Sequence, residues 1–301
     1  MLRMADADEY ASLGLPMSVA GASLPPGRGF CDGTEAQVAI LDADPTGAGQ
    51  SEAVTRLAER LREHSAEPPP AVSVLGDRVD RAALRDTRLR AGSAVAAVGR
   101  SGISYRTAVV DLDDSPVFGV FGPDRSGRTT ALTTLANGLR GSVPDLRTYL
   151  LAPRRTALVS VPDWTRTATG LDACAALATA LADALAERTA AGPRRLVVVD
   201  DGDELTDGPA ATALATLVRR GRDTGVVLLC AVQTHVAHRS FGGWVTDLRK
   251  AKHGLLLRPE VDVDGDLFGL RLPQKASRRF PVGRGYLVTR GDIDYVHVAT
   301  D

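Results

Sequence analysis

The stretch between residues 115 and 139 restricts this chain more than any other. Ser115-Pro116 opens the apolar run Val117 to Phe121, the loop Gly122 to Thr130 follows directly, and a helical pattern runs from Ala131 to Leu139. A continuous apolar run of this length suits a strand buried on both faces of a parallel sheet. Strand, glycine-bearing loop and helix, in that order, are the setting of a phosphate-binding loop. Backbone N–H groups at the helix N-terminus then point at phosphate oxygens. Gly122 and Gly127 allow the tight loop, Thr129 is placed to ligate Mg²⁺ through its hydroxyl, and Pro123, Asp124, Ser126 and Thr130 complete the ATP-binding candidates. The strict pattern GxxxxGK[ST] fails by one residue, and a second residue of the loop is unusual. Arg128 stands at the lysine, and Arg125 replaces a glycine often found in the middle of the loop. Arginine keeps the charge, but its planar fork is bulkier than an ammonium and reaches phosphates differently.

A second run strengthens the reading. Arg195-Leu196-Val197-Val198-Val199 ends in Asp200-Asp201. A basic residue, an apolar strand and two carboxylates have the Walker B form. Asp200 would hold Mg²⁺ through water, and Asp201 would stand where a base polarises the attacking water. Glutamate is usual at that second position. Aspartate is one methylene shorter, which displaces the carboxylate by about 1 Å and costs on the order of 100-fold in rate. The competing reading is a strand that ends in an Asp-rich turn. A third apolar run, Val226 to Val232, ends at Gln233-Thr234, where Gln233 is either a strand-end cap or a phosphate sensor. Strands at 147–151, 196–200, 226–232 and 254–257 alternate with helical patterns, the longest from Leu171 to Arg188. The expected fold is α/β with a central, mostly parallel sheet. It finishes in a hairpin from Gly285 to Ala299 around Arg290-Gly291-Asp292.

The chain also repeats its own tail. LRMADADEYASLGL near the start matches LRPEVDVDGDLFGL near the end, and LPPGRGF matches FPVGRGY. Leu2, Arg3, Gly14 and Leu15 stand 255 positions before Leu257, Arg258, Gly269 and Leu270, and Gly27-Arg28-Gly29 stands 256 before Gly283-Arg284-Gly285. A period of that size is about one domain, too long for a solenoid repeat. Residues 1–45 therefore read as the tail end of a preceding module. Residues 46–70 read as a linker, in which a short helical stretch ends at Leu57 to Leu61 and Glu67-Pro68-Pro69-Pro70 stops it. Residues 71–301 read as a complete module, so that Met1 is an internal or reassigned start.

Other features narrow the function classes. A net charge of -1 gives no general drive toward nucleic acid. Cys31, Cys174 and Cys230 form no CxxC pair, Cys230 lies inside an apolar run, and a reducing compartment fits. No 18-residue apolar run free of charges is present. His64, His235, His238, His253 and His297 lack metal-ligand spacing and read as structural or surface residues.

GPDRSGRTTAL, VVVDDGDEL, LVRRGRDTGVVLL and the PxGRG element together resemble the FtsK/SpoIIIE family of P-loop ATPases. Within it they are most similar to a C-terminal ATPase domain of EccC, the tandem ATPase of actinobacterial type VII secretion. The resemblance implies a RecA-like P-loop NTPase fold with ATP and Mg²⁺ as cofactors. Gly122, Gly127, Arg128, Thr129 and Thr130 fall on the phosphate loop, Asp200 and Asp201 on Walker B, and Gln233 on the γ-phosphate sensor. Thr129 and Asp200 are then the metal ligands, and Asp201 and Gln233 the catalytic positions. Later ATPase domains of that family often carry degenerate loops and bind nucleotide or substrate. The residues at 128 and 201 resemble that kind, so hydrolysis is expected to be slow or absent. The implied partners are other ATPase modules of one motor and the C-terminal tail of a secreted WXG100-like protein. The implied location is cytoplasmic, at the inner face of the cell membrane, reached through partners or upstream segments. Arg219, Arg220 and Arg222 would contact a neighbouring subunit or form a solvated helix end. An FtsK-like DNA translocase motor is the alternative. The near-neutral charge, the two altered positions and the lack of a C-terminal winged-helix segment weigh against DNA as the partner.

Overall fold

The apolar runs become sheet strands whose side chains alternate between two cores. In the computed structural model, which describes residues 25–31, 34–64, 74–84, 92–185, 193–273 and 280–300, the chain divides into units Met1–Val72 and Ser73–Asp301. Leu2, Arg3, Gly14, Leu15, the prolines 68–70, Ala71 and Arg188 lie outside the described residues.

The second unit is built on ten strands: β3 (Val95–Ser101), β4 (Thr107–Asp111), β5 (Val117–Gly122), β6 (Arg147–Ala152), β7 (Arg166–Thr169), β8 (Arg195–Val199), β9 (Val226–Gln233), β10 (His253–Leu257), β11 (Arg284–Thr289) and β12 (Asp292–Val298). Their order is β4-β3-β12-β11-β10-β5-β9-β8-β6-β7. From β10 to β7 all neighbours are parallel, and β4, β3, β12 and β11 extend one side as an antiparallel flank. Every residue of β5 is buried, as expected of a central strand covered on both faces. Val117 and Phe121 enter one core and Phe118 and Val120 the other. Val197 and Val199 alternate in the same way with Leu196 and Val198. Helix α2 (Arg128–Ser142) supplies Leu132, Leu135 and Leu139 to one face. Helices α3 (Leu171–Asp183), α4 (Gly208–Thr224) and α6 (Gly243–Lys250) cover the other, and the short α5 (Thr234–Arg239) follows β9. Burying Phe118 and Phe121 fully contributes roughly 1.5–3 kcal/mol each.

The first unit contains β1 (Arg28–Cys31), β2 (Thr34–Gln37) and α1 (Gly47–His64). The short helical stretch expected in the linker is in fact this 18-residue helix. Thr46 Oγ1 accepts the Gly49 N–H at 3.1 Å, an N-cap that starts the helix despite the poor propensity of Gly47 and Gly49.

The two PxGRG segments fold alike. Pro25 O accepts the Arg28 N–H at 3.0 Å with Gly27 at φ 79°, and Pro281 O accepts the Arg284 N–H at 3.1 Å with Gly283 at φ 80°. Both are turns that need a positive φ at their third residue, hence glycine. Arg28 pairs with Gln37 and Arg284 with His297, and the next residue, Val38 or Val298, donates its N–H to Gly27 O or Gly283 O at 2.8 Å in both cases. The PxGRG part of the sequence repeat is thus one local structure made twice.

Candidate nucleotide site

Loop 122–130 leaves the C-terminal end of β5 between the ends of β10 and β9, with Gly122 in register with Gln233. Gly122 is required here, because a Cβ would lie 2.4 Å from Ser126 Oγ and 2.8 Å from Leu257 O. Arg125 turns the loop at φ 57° and Gly127 at φ 101°. Beyond that turn the N–H groups of Gly127, Arg128, Thr129 and Thr130 have no acceptor among the described residues. They form the free N-terminus of α2, where the helix dipole favours an anion. Arg125, Ser126, Gly127, Arg128, Thr129, Thr130 and Val282 line a cleft of ≈ 360 Å³ there. Pro123, Asp124 and Arg125 are exposed, whereas Ser126 is buried and its hydroxyl has no partner among the described residues.

Arg128 lines the cleft, but its charge is engaged by the loop itself. Its guanidinium folds back, donating to Gly122 O at 2.6 Å, Pro123 O at 3.0 Å and Asp201 Oδ1 at 3.2 Å, with Asp124 Oδ1 at 3.8 Å. It is 8 % exposed. The residues at the usual lysine and glutamate positions, Arg128 and Asp201, are therefore ion-paired with each other. Asp201 sits in the left-handed region at φ 48°, which aspartate tolerates better than most residues do.

Asp200 is 2 % exposed. It accepts Thr129 Oγ1 at 3.0 Å and Thr156 Oγ1 at 2.6 Å. Burial above all, and then the Asp201 carboxylate, raise its pKa, while the Thr156 and Thr129 hydroxyls and the Arg128 charge act the other way. A buried carboxylate held by two hydroxyls, one from the loop itself, is a donor set suited to a hard divalent cation such as Mg²⁺. Gln233 lies at the end of β9, and its backbone N–H donates to Asp203 Oδ1 at 3.3 Å.

The structure adds contributors that motif spacing did not pick out. Thr156 caps the short helix Ala157–Ser160 and clasps Asp200. The Pro281–Arg284 turn fastens onto the loop, with the Gly283 N–H donating to Ser126 O at 2.8 Å. The recurrence of PxGRG was the one sequence signal pointing at that turn. Arg219 and Arg220 fall near the end of α4, which leads into the start of β9, so they lie toward the end of the parallel strands opposite the loop. There Arg219 Nε bonds Asp247 Oδ2 at 2.8 Å. His253 and His297 are buried against backbone carbonyls of Ser115 and Gly76, and His238 pairs with Asp264 at 2.9 Å. Cys174 and Cys230 are buried free thiols, the latter with its pKa pushed up by complete burial. Among the described residues no helix is long and apolar enough to cross a membrane.

No protein-family model matches the sequence, and no curated protein matches it. Solved structures do. The structure titled EccC (ATPases 2 and 3) of Thermomonospora curvata in complex with a signal sequence peptide is similar over 100% of this chain and 57% of its own, at 22% identity and a TM-score of 0.64. The cytoplasmic domain of the Thermomonospora curvata type VII secretion ATPase EccC matches over 100% and 37%, at 21% identity and a TM-score of 0.63. EssC (ATPases 2 and 3) from Geobacillus thermodenitrificans matches over 97% and 58%, at 16% identity and a TM-score of 0.63. This chain spans little more than half of these proteins at most. What it shares with them is the fold, that of RecA-like P-loop ATPase domains with a central, mostly parallel sheet.

Proposed function

We propose that this chain is a nucleotide-binding module of a type VII secretion motor that holds ATP with Mg²⁺ and hydrolyses it slowly or not at all. The observation that carries this reading is the Arg128–Asp201 pair. In a working site the loop cation grips the β/γ-phosphates and the second Walker B carboxylate orients water. Here each occupies the other, and both are held by the fold, Arg128 on two loop carbonyls and Asp201 in a left-handed backbone. The free N–H groups of 127–130 and the Thr129–Asp200 pair are arranged to take phosphates and a metal ion. Thr129 and Asp200 would hold the magnesium ion, which would supply positive charge against the phosphates. The protein's own part is to keep Asp200 buried and oriented by Thr156, to present Thr129, and to draw Arg128 toward the phosphates only at the expense of its bond to Asp201.

On this reading residues 71–301 are the module, 46–70 a linker and 1–45 the tail of another module, a division supported by the matched turns at Pro25 and Pro281. The structural neighbour solved with a signal sequence peptide supports a peptide partner, which on the sequence resemblance is the C-terminal tail of a secreted WXG100-like protein. Such a tail binds as an amphipathic helix in a groove, with micromolar affinity that depends little on salt.

The test is direct. Titration with a fluorescent ATP analogue and Mg²⁺ is expected to show binding, and single-turnover assays hydrolysis far below about 1 s⁻¹, the lower end of typical kinase turnover. The double variant Arg128→Lys, Asp201→Glu is expected to raise turnover. Wild-type turnover at or above that rate would refute the slow-site reading. Steeply salt-dependent duplex binding with no binding of the tail peptide would replace secretion with DNA translocation.

A further inference from the structure

We infer that the segment Phe280–Arg284 divides one nucleotide site in two, with phosphates on the side of Val282 and the base and ribose on the side of Phe280 and Pro281. The inference rests on the nucleotide reading above and deepens it. Val282 lines the cleft over the phosphate loop. On the other side of the same turn a second cleft of ≈ 650 Å³ is lined by Asp77, Arg258, Pro259, Phe280, Pro281 and Arg284. The turn is not a loose flap. Gly283 is tied to Ser126 O at 2.8 Å, and a Cβ on Gly127 would lie 3.1 Å from Gly283 N, so loop and turn are in contact. A ligand whose anionic end rests on the N–H groups of 127–130 therefore meets this turn where its phosphates end.

The second cleft has the chemistry of a nucleoside site. Phe280 is held edge-on by Tyr286 and Tyr295, with ring centroids 5.6 and 5.8 Å away, and two prolines add flat apolar walls. These surfaces suit an aromatic base. Arg258 follows β10 beside the loop, exposed, at φ 48°, its backbone N–H bonded to Arg284 O at 2.9 Å. Its guanidinium can stack on a base or bond its edge. Asp77, also exposed, can accept the two ribose hydroxyls. Arg284 closes the cleft, its Nη2 bonded to Leu75 O at 3.3 Å and His297 Nδ1 at 3.0 Å, while its buried Nε has no partner among the described residues.

Calorimetric titration of the full chain with Mg–ATP and, separately, with inorganic tripolyphosphate tests this. The variant Asp77→Asn, Arg258→Asn is used because both positions are exposed and asparagine tolerates the left-handed backbone at 258. Wild type is expected to prefer ATP, and the variant to lose tenfold or more in ATP affinity with tripolyphosphate binding unchanged. Equal weakening of both ligands, no change in either, or a wild type that binds the two alike would overturn the inference and leave the phosphate loop standing. A wild type that binds neither ligand would overturn the nucleotide reading itself.

Discussion

Asp200 is a carboxylate placed where it is costly to ionise. Its pKa in the fold lies above the ordinary 3.8, chiefly through burial. Between 3.8 and the raised value the folded protein therefore holds a proton that the unfolded chain has released, and stability falls as pH rises through that window. Above that window the full penalty applies until a cation compensates it. Without divalent metal, Asp200→Asn is expected to melt higher than wild type at neutral pH, to lose this pH dependence, and to gain nothing from added Mg²⁺. Thermal melts with and without Mg²⁺ check all three, and a variant still stabilised by Mg²⁺ would remove Asp200 from the metal site. The two carboxylates could be found in the sequence because an apolar strand ends directly in them. Their partners could not. Thr156 lies 44 positions from Asp200, and Arg128 lies 73 from Asp201. Those distances are set by the tertiary fold, which no local spacing rule encodes.

Among the elements, the parallel strands were the easiest to anticipate. A strand covered on both faces must be apolar throughout, and runs such as 117–121 and 226–232 could be little else. The flank was harder. β3 contains Gly99, where its register with β4 shifts and where a Cβ would come 2.0 Å from His297 O. Close backbone approach there demands a residue that breaks any hydrophobic rhythm. β7, Arg-Thr-Ala-Thr, is an edge strand with little to bury. The 281–284 turn connects this flank to the site. Gly283→Ala would place a Cβ at φ 80°, 3.4 Å from the His297 ring. A left-handed alanine costs roughly 1–2 kcal/mol, which is about 2–8 °C in Tm for a domain of this size. The same change is expected to weaken ATP binding, since the turn carries the hydrogen bond to Ser126 O. A melt lowered without any effect on ATP would confine the turn to a structural role.

At the scale of the whole molecule, both large cores belong to residues after 73. A chain of residues 73–301 is therefore expected to unfold cooperatively, at the same temperature as the full chain, and to bind ATP equally well. Calorimetry of both chains is the measurement, and a large drop in Tm would give the first 72 residues a stabilising part. The doubled turn was legible as text before it was legible as structure, because Gly27 and Gly283 both meet a backbone condition that only glycine meets cheaply. It also defines a unit of recombination. Val38 and Val298 close their hairpins with the same bond to the same glycine carbonyl. The 260 residues from Ala39 to Val298 therefore begin just after one closing hairpin and end with the next. A gene duplication with breakpoints at those two valines would copy a whole module, with its phosphate loop and the turn that fastens onto it, and would leave no strand cut in half.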